Sequence, residues 1–115
     1  MDDSALLRLV TLAVAEAEGD SSHAFRIAAH GEIDLDSAPE LGKALDDLIE
    51  QGATLVILDA SGVEFLDSSG LRVIVRAGNA LSDAGGQLLI EGMSGAVQRV
   101  LEVSGLIDQY RSAKP

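Results

Sequence analysis

The feature that most constrains the fold is a short apolar run followed closely by a helical pattern. The run Leu55-Val56-Ile57-Leu58 is uniformly apolar and bounded by polar residues, which is typical of a buried strand. After Asp67 the apolar residues recur at helical spacing. Ser68 therefore lies where a loop meets a predicted helix N-terminus. Backbone N–H groups lack partners at such a place and the helix dipole favours negative charge, so the position suits a phosphate.

Strands and a helix are also predicted before this point. Leu9 to Ala17 and Phe25 to Ala29 have strand patterns and flank a turn cluster at Gly19 to Ser22, which predicts a hairpin. A capping-box pattern at Ser37-Ala38-Pro39-Glu40, with proline in the first turn, then opens an amphipathic helix that Gly52 is placed to end. The apolar face of that helix comprises Leu41, Ala44, Leu45, Leu48 and Ile49.

The second half of the chain alternates helices and strands. A helix is predicted from near Ser69 to the Gly85-Gly86 pair, a strand over Gln87 to Glu91, and a third helix over Ser94 to Val103. The tail from Asp108 to Pro115 is either a short edge segment or loose. The predicted fold is one α/β domain over residues 1–115, a mixed β-sheet with amphipathic helices packed on it. The inward face of the second helix is expected to comprise Leu71, Ile74, Val75, Gly78 and Leu81.

Charge and composition exclude several classes of function. The formal net charge is -11 and the eight Lys and Arg residues are scattered, which disfavours binding to nucleic acid or to an anionic membrane surface. With no cysteine, the chain has neither disulfides nor thiolate metal sites. The N-terminus is acidic where a signal peptide would be basic, and no apolar run approaches membrane-spanning length. We expect a cytoplasmic protein with no metal and no cofactor.

Three short motifs resemble a known family. Asp67-Ser68-Ser69-Gly70-Leu71 is similar to the signature of anti-sigma factor antagonists, the small single-domain members of the STAS group. Gly31-Glu32-Ile33-Asp34 and Ser104-Gly105-Leu106 match the same family in order and spacing, so the resemblance spans about Phe25 to Leu106. It implies a STAS fold. It also implies that Ser68 is phosphorylated by a partner anti-sigma factor that is itself a serine kinase.

The residues around Ser68 are candidates for contact with that partner. Asp67 belongs to the matching motif, and Ser69 is expected to be a cap or a first-turn hydroxyl. Gly70 has no side chain to block the helix N-terminus, which is consistent with the close approach of a kinase active site. For Asp34, a role in partner contact or serine positioning is implied by the resemblance alone.

The second predicted helix offers further candidates for partner binding. Arg72 and Arg76 are four residues apart on its exposed side, either as a solvated face or as a contact with an acidic patch of a partner. Val73 lies between them and off the main apolar stripe, so we place it on the docking surface with them.

Other interpretations of the polar residues are weaker. Ser68 can be a simple helix cap. It does not fit a hydrolase nucleophile, because Leu66 stands where the nucleophile elbow needs glycine and His23 and His30 are the only histidines. Asp34, Asp36, Asp59 and Asp67 fit helix caps and surface charges better than a Mg²⁺ site.

The leading hypothesis is a protein switch with no catalytic residues. Unphosphorylated, the domain binds an anti-sigma factor through the Ser68 loop and second helix and so frees a sigma factor. Phosphorylation adds about -1.5 to -2 charge and opposes this binding, and a phosphatase resets the switch. The alternative is a STAS adaptor subunit of a transport or sensory complex, with no phosphoswitch. An enzyme or nucleotide-binding protein is a third possibility, for which the chain lacks a placed base and a phosphate loop.

Overall fold

The computed structural model describes residues 10–16 and 23–111. They form four strands and four helices that alternate over most of the chain. The strands are Val10–Glu16 (β1), Ala24–Ile33 (β2), Leu55–Leu66 (β3) and Gln87–Glu91 (β4). The helices are Ala38–Glu50 (α1), Ser68–Asp83 (α2), Gly95–Ser104 (α3) and Ile107–Tyr110 (α4).

The four strands form one mixed sheet in the order β1-β2-β3-β4. β1 pairs antiparallel with β2, which confirms the predicted pairing of the first two strands, although the turn at Gly19 to Ser22 lies outside the described residues. β2, β3 and β4 are parallel, and α1 and α2 are the crossovers between them. Because these three strands run in the same direction, their carboxyl ends all lie at the same edge of the sheet.

The core lies between one face of the sheet and the helices. In β3 the side chains of Val56, Leu58 and Ala60 are buried and those between them are half-buried, as expected when one face is covered. The predicted apolar face of α1 is confirmed, with Leu41, Leu45 and Leu48 buried and Ala44 and Ile49 packed at their edge. In α2 the prediction holds for Ile74, Gly78 and Leu81; Ala77 joins them in the core, while Leu71 and Val75 are only partly buried.

β3 extends eight residues beyond the predicted strand end at Leu58, through the segment interpreted as a loop. Its pairing with β2 is interrupted twice, between Ala28 and His30 and again between Gly31 and Glu32. At each interruption β3 holds one extra residue, which is the geometry of a β-bulge. The next buried residues are therefore Val63 and Leu66, three apart, and this spacing conceals the strand because a regular strand repeats every two residues.

The helix termini agree with prediction except at the start of α1. Pro39 lies in the first turn of α1 and Ser94 caps α3 by accepting a hydrogen bond from Val97 N at 3.3 Å, as predicted. Ser37, however, makes no cap hydrogen bond to the helix. Its hydroxyl donates to the Glu32 carbonyl oxygen at 2.6 Å and accepts from Asp34 N at 3.0 Å, so the capping box is not formed. The serine instead closes the loop between β2 and α1.

The tail contains a short helix that the sequence analysis did not predict. In α4 the ring of Tyr110 is buried against Gly78 of α2, where a Cβ would lie 2.9 Å from Tyr110 Cε1. Arg111 then forms an isolated parallel bridge with Ile90 of β4, which agrees with the predicted edge segment. Among the described residues, no helix is long and apolar enough to cross a membrane.

Candidate functional site

Two loops meet at the edge where β2 and β3 end. Ile33 and Leu66 are paired in the sheet, and Asp67 N donates to the Ile33 carbonyl oxygen at 3.2 Å. The loop that begins with Asp34 therefore lies beside the start of α2. Asp34 Oδ1 accepts from the backbone N–H groups of Asp36 at 3.0 Å and Ser37 at 3.1 Å, so its carboxylate is used to hold its own loop. Hydrogen bonds therefore hold the backbone of the loop after β2 and the backbone at Asp67, which precedes Ser68.

Asp67, and not Ser68, caps α2. Its backbone is extended, and its Oδ1 accepts from Ser69 N at 2.8 Å and from Gly70 N at 3.2 Å. Two of the N–H groups that we expected to be unpaired are therefore already bonded. Ser68 is the first residue of the helix, its side chain is exposed, and its hydroxyl has no hydrogen-bond partner among the described residues. The side chain of Ser68 is therefore open to solvent, and its modification stays a prediction.

Gly70 faces the interior of the domain. It is buried, and a Cβ at this position would overlap Leu66 Cδ1 and lie 2.6 Å from Ile33 Cγ2. The missing side chain faces these two core residues, and the expectation that Gly70 also leaves room for a partner stays a prediction. Glycine is needed here so that the first turn of α2 can approach the ends of β2 and β3.

The outer side of α2 is partly covered by α1. Val73 is half-buried, and its Cγ1 lies 3.4 Å from the position that a Cβ on Gly42 would take. Arg76 Nη2 lies 3.6 Å from Asp46 Oδ2 of α1. Val73 therefore packs between the helices and keeps only part of its surface exposed, and its contact with a partner stays a prediction. Arg72 is exposed and forms no ion pair with any described residue.

Three large apolar side chains are exposed, in the loop after β2, at the end of β3 and at the end of α3. Within the described residues the exposed large hydrophobic side chains are Leu35 (73%), Phe65 (46%) and Val103 (84%). Leu35 follows Asp34, and Phe65 comes two residues before Asp67. Val103 lines a groove of about 380 Å³, which we call the Ser68 groove. Its walls include Ser68 and Leu71 from α2 and Arg99, Val100 and Val103 from α3.

The sequence analysis missed the Ser68 groove and its α3 wall. Two apolar residues in polar surroundings could have indicated an exposed apolar surface. Val103 lies at the end of a predicted helix that already had a buried face, and Leu35 lies between two aspartates. Neither observation alone indicates a groove, since α2 and α3 meet only in the folded chain.

His30 and Asp59, two other polar residues considered from the sequence, lie along the strands and away from Ser68. His30 is paired with Gly62, six residues before Ser68, so it is not a base for this hydroxyl. Asp59 accepts hydrogen bonds from Ser61 N at 3.0 Å and Ser61 Oγ at 2.8 Å. The hydrogen bond from Ser61 N lowers the pKa of the Asp59 carboxyl. Partial burial opposes this shift, and the nearby Arg26 and His30 add to it. In residues 10–16 and 23–111 no three His, Asp or Glu side chains are grouped to hold a metal ion.

Comparison with protein families gives a match over most of the chain. The family described as "Mlab, STAS domain" matches residues 16–108. The anti-sigma-B factor antagonist of Bacillus subtilis is 41% identical over 78 residues, which are 68% of this chain and 71% of that protein. The family match includes the loop of Asp34, the Ser68 groove and the first two residues of α4.

Solved structures show the same fold. An anti-sigma factor antagonist from Mycobacterium paratuberculosis superposes with a TM-score of 0.71 at 26% identity, over 88% of this chain and 82% of that one. The unphosphorylated form of the anti-sigma factor antagonist SpoIIAA superposes with a TM-score of 0.73 over 90% of both chains. Its sequence identity is 21%, so this second likeness concerns the fold alone.

Proposed function

The chain belongs to the STAS domain family, among its anti-sigma factor antagonists, and from this we propose that it is a phosphorylation-controlled switch with no catalytic residues of its own. Unphosphorylated, it binds an anti-sigma factor in the cytoplasm and so frees a sigma factor. The anti-sigma factor is also the serine kinase that modifies Ser68, and a phosphatase restores the binding form. The protein requires no cofactor and contacts neither nucleic acid nor membrane.

One observation carries this proposal: in an acidic protein, the exposed Ser68 shares a groove with the apolar side chains of Leu71, Val100 and Val103, the last of them exposed. Apolar side chains exposed together are typical of a surface that another protein covers. The docking surface that we propose comprises Asp34, Asp67, Ser68, Ser69 and Arg72, extended by Leu35 and Val103. Arg76 lies at its border, where Asp46 already holds it.

Phosphorylation acts at the centre of this surface. Ser68 Oγ attacks the γ-phosphorus of ATP, the bond from that phosphorus to the β–γ bridging oxygen breaks, and ADP leaves, while a base of the kinase takes the hydroxyl proton. The product carries about -1.5 to -2 additional charge at pH 7. A tenfold to hundredfold loss of partner affinity requires only about 1.4 to 2.8 kcal/mol. One doubly charged group placed inside a protein interface can supply that difference.

The test compares affinities for the anti-sigma factor among the wild type, its phosphorylated form, Ser68→Ala and Ser68→Asp. We expect phosphorylation to weaken binding at least tenfold, Ser68→Asp to weaken it less because a carboxylate carries less charge, and Ser68→Ala to bind but accept no phosphate. Ser82→Asp is the matched control, since it adds the same charge at the exposed far end of α2. If the phosphorylated and unmodified proteins bind equally, the domain is a constitutive adaptor and the switch is refuted.

A further inference from the structure

Two arginines in this acidic protein form no ion pair with any residue that the structure describes. The described residues include six Lys and Arg side chains, and four of them form ion pairs. Arg26 pairs with Glu91 at 3.0 Å, and Arg76 and Arg111 also each pair with an aspartate. Arg72 and Arg99 are exposed and form no ion pair with a described residue. With 19 acidic residues in the chain, two unpaired guanidinium groups call for a physical explanation.

Both unpaired arginines border Ser68. Arg99 shares the Ser68 groove with Ser68, facing it from α3. Arg72 follows Ser68 by four residues on α2 and lines a second groove, of about 530 Å³, in which Ser68 also takes part. Residues four apart on a helix are neighbours, with Cβ atoms about 5–6 Å apart. Ser68 therefore shares one groove with Arg99 and a second groove with Arg72.

A helix N-terminus usually offers unpaired backbone N–H groups to a phosphate, but at Ser68 two of these groups are already bonded. The N–H groups of Ser69 and Gly70 already donate to Asp67 Oδ1. The carboxylate of Asp67 also places a negative charge next to the modified residue. With these two groups already used, side chains become an important source of compensation for the phosphate charge, and arginine matches a phosphate well because its planar fork can donate two parallel hydrogen bonds.

We propose that Arg72 and Arg99 together bind the phosphate of phosphorylated Ser68, an inference that rests on the proposed function. The contact from Arg99 joins the start of α2 to α3 across the Ser68 groove. In the unmodified protein the groove presents Leu71, Val100 and Val103 to the partner; in the phosphorylated protein the bound side chain of Arg99 covers them. Phosphorylation thus closes the docking surface from within, in addition to changing its charge.

The first test measures the phosphate itself and needs no partner protein. Phosphoserine is incorporated at position 68 of the full chain, and its second ionisation is followed by ³¹P NMR in the wild type, in Arg72→Gln, in Arg99→Gln and in the double variant. Nearby cations stabilise the dianion, so the phosphate pKa should be lower in the wild type than in the double variant by about half a pH unit or more. Each single variant should lie between them. Arg111→Gln, which removes an arginine outside both grooves, should match the wild type.

Equal phosphate pKa values in the wild type and the double variant would refute the proposal. The second test separates it from the proposed function. If Arg99 closes the groove, the affinity loss that phosphorylation causes should be smaller in Arg99→Gln than in the wild type. If charge repulsion alone acts, removing a cation should leave that loss unchanged or increase it, and this result also overturns the inference while leaving the switch itself intact.

Discussion

Replacing Gly70 by alanine tests whether this glycine is required by packing or by a partner. The new Cβ would overlap Leu66 Cδ1, which is the mobile end of a leucine, but would also lie 2.6 Å from Ile33 Cγ2 and 3.2 Å from the Ile33 carbonyl oxygen. Ile33 is 1% exposed, and its Cγ2 is attached directly to Cβ, so it cannot move away without moving β2. Overpacking of this kind costs about 1–3 kcal/mol.

Helix propensity acts in the opposite direction and reduces the expected loss. Alanine in place of glycine stabilises a helix by up to about 1 kcal/mol, so the net loss for Gly70→Ala should be about 1–2 kcal/mol. Gly95→Ala is the matched control, because Gly95 lies in the first turn of α3 and its Cβ would meet nothing within 4 Å. That variant should be as stable as the wild type or slightly more stable.

Urea denaturation followed by circular dichroism provides the measurement, with the slope m checked for constancy among the three proteins. Gly70→Ala should have a lower midpoint than the wild type, and Gly95→Ala should not. The packing argument fails if the two variants are equally stable. Loss of phosphorylation in a Gly70→Ala protein of unchanged stability would instead support the original expectation that Gly70 admits the kinase.

Two further predictions concern single side chains. Asp67→Ala should destabilise the fold by about 0.5–2 kcal/mol in thermal unfolding, because two N–H groups of α2 lose their acceptor. Asp83→Ala, at the other end of the helix, should be neutral or slightly stabilising. Equal effects of the two changes would contradict the role of Asp67 as the cap. Burial raises the pKa of Tyr110 above its ordinary value of 10.0, so the free energy of unfolding should fall as pH rises beyond about 10, where the unfolded tyrosine ionises first. The Tyr110 hydroxyl is buried without a hydrogen-bond partner among the described residues, so Tyr110→Phe should be at least as stable as the wild type at neutral pH. The variant should also lose the alkaline dependence of the free energy of unfolding. An unchanged pH profile would show that another group is responsible.

The parts of the fold that sequence could predict are those with a strong local pattern. α1 and α3 combine a clear periodicity with Pro39, Ser94 or Gly105 at an end, and Gly105 indeed adopts φ 78° after α3. β4 is a short apolar run that follows the Gly85-Gly86 pair. The second half of β3 could not be predicted because its bulges replace the two-residue repeat by a spacing of three. α4 has four residues, which is too short for any periodicity to be read.

The candidate site also has parts that the sequence could predict and parts that it could not. Ser68 at a helix start was predictable, since the motif and the helical spacing are both local. The roles of Gly70 and Val73 were not, because each depends on a contact with a distant segment: Ile33 for the one and Gly42 for the other. The Ser68 groove likewise joins Leu71 to Val100, which only tertiary packing brings together.

The bulges of β3 also restrict how the length of this strand can change in evolution or by design. Between the pairs Ala24–Leu55 and Ile33–Leu66, β2 advances nine residues and β3 advances eleven. Each bulge absorbs one residue and keeps the paired side chains on the same face, so Leu58, Val63 and Leu66 are all buried although five and three residues separate them. Deleting one residue at a bulge would therefore leave the pair Ile33–Leu66 and the direction of α2 unchanged, whereas a deletion between Leu55 and Leu58, where pairing is regular, would turn part of the strand over. The two bulges are thus the places where the length of β3 can change by a single residue without reversing the start of α2.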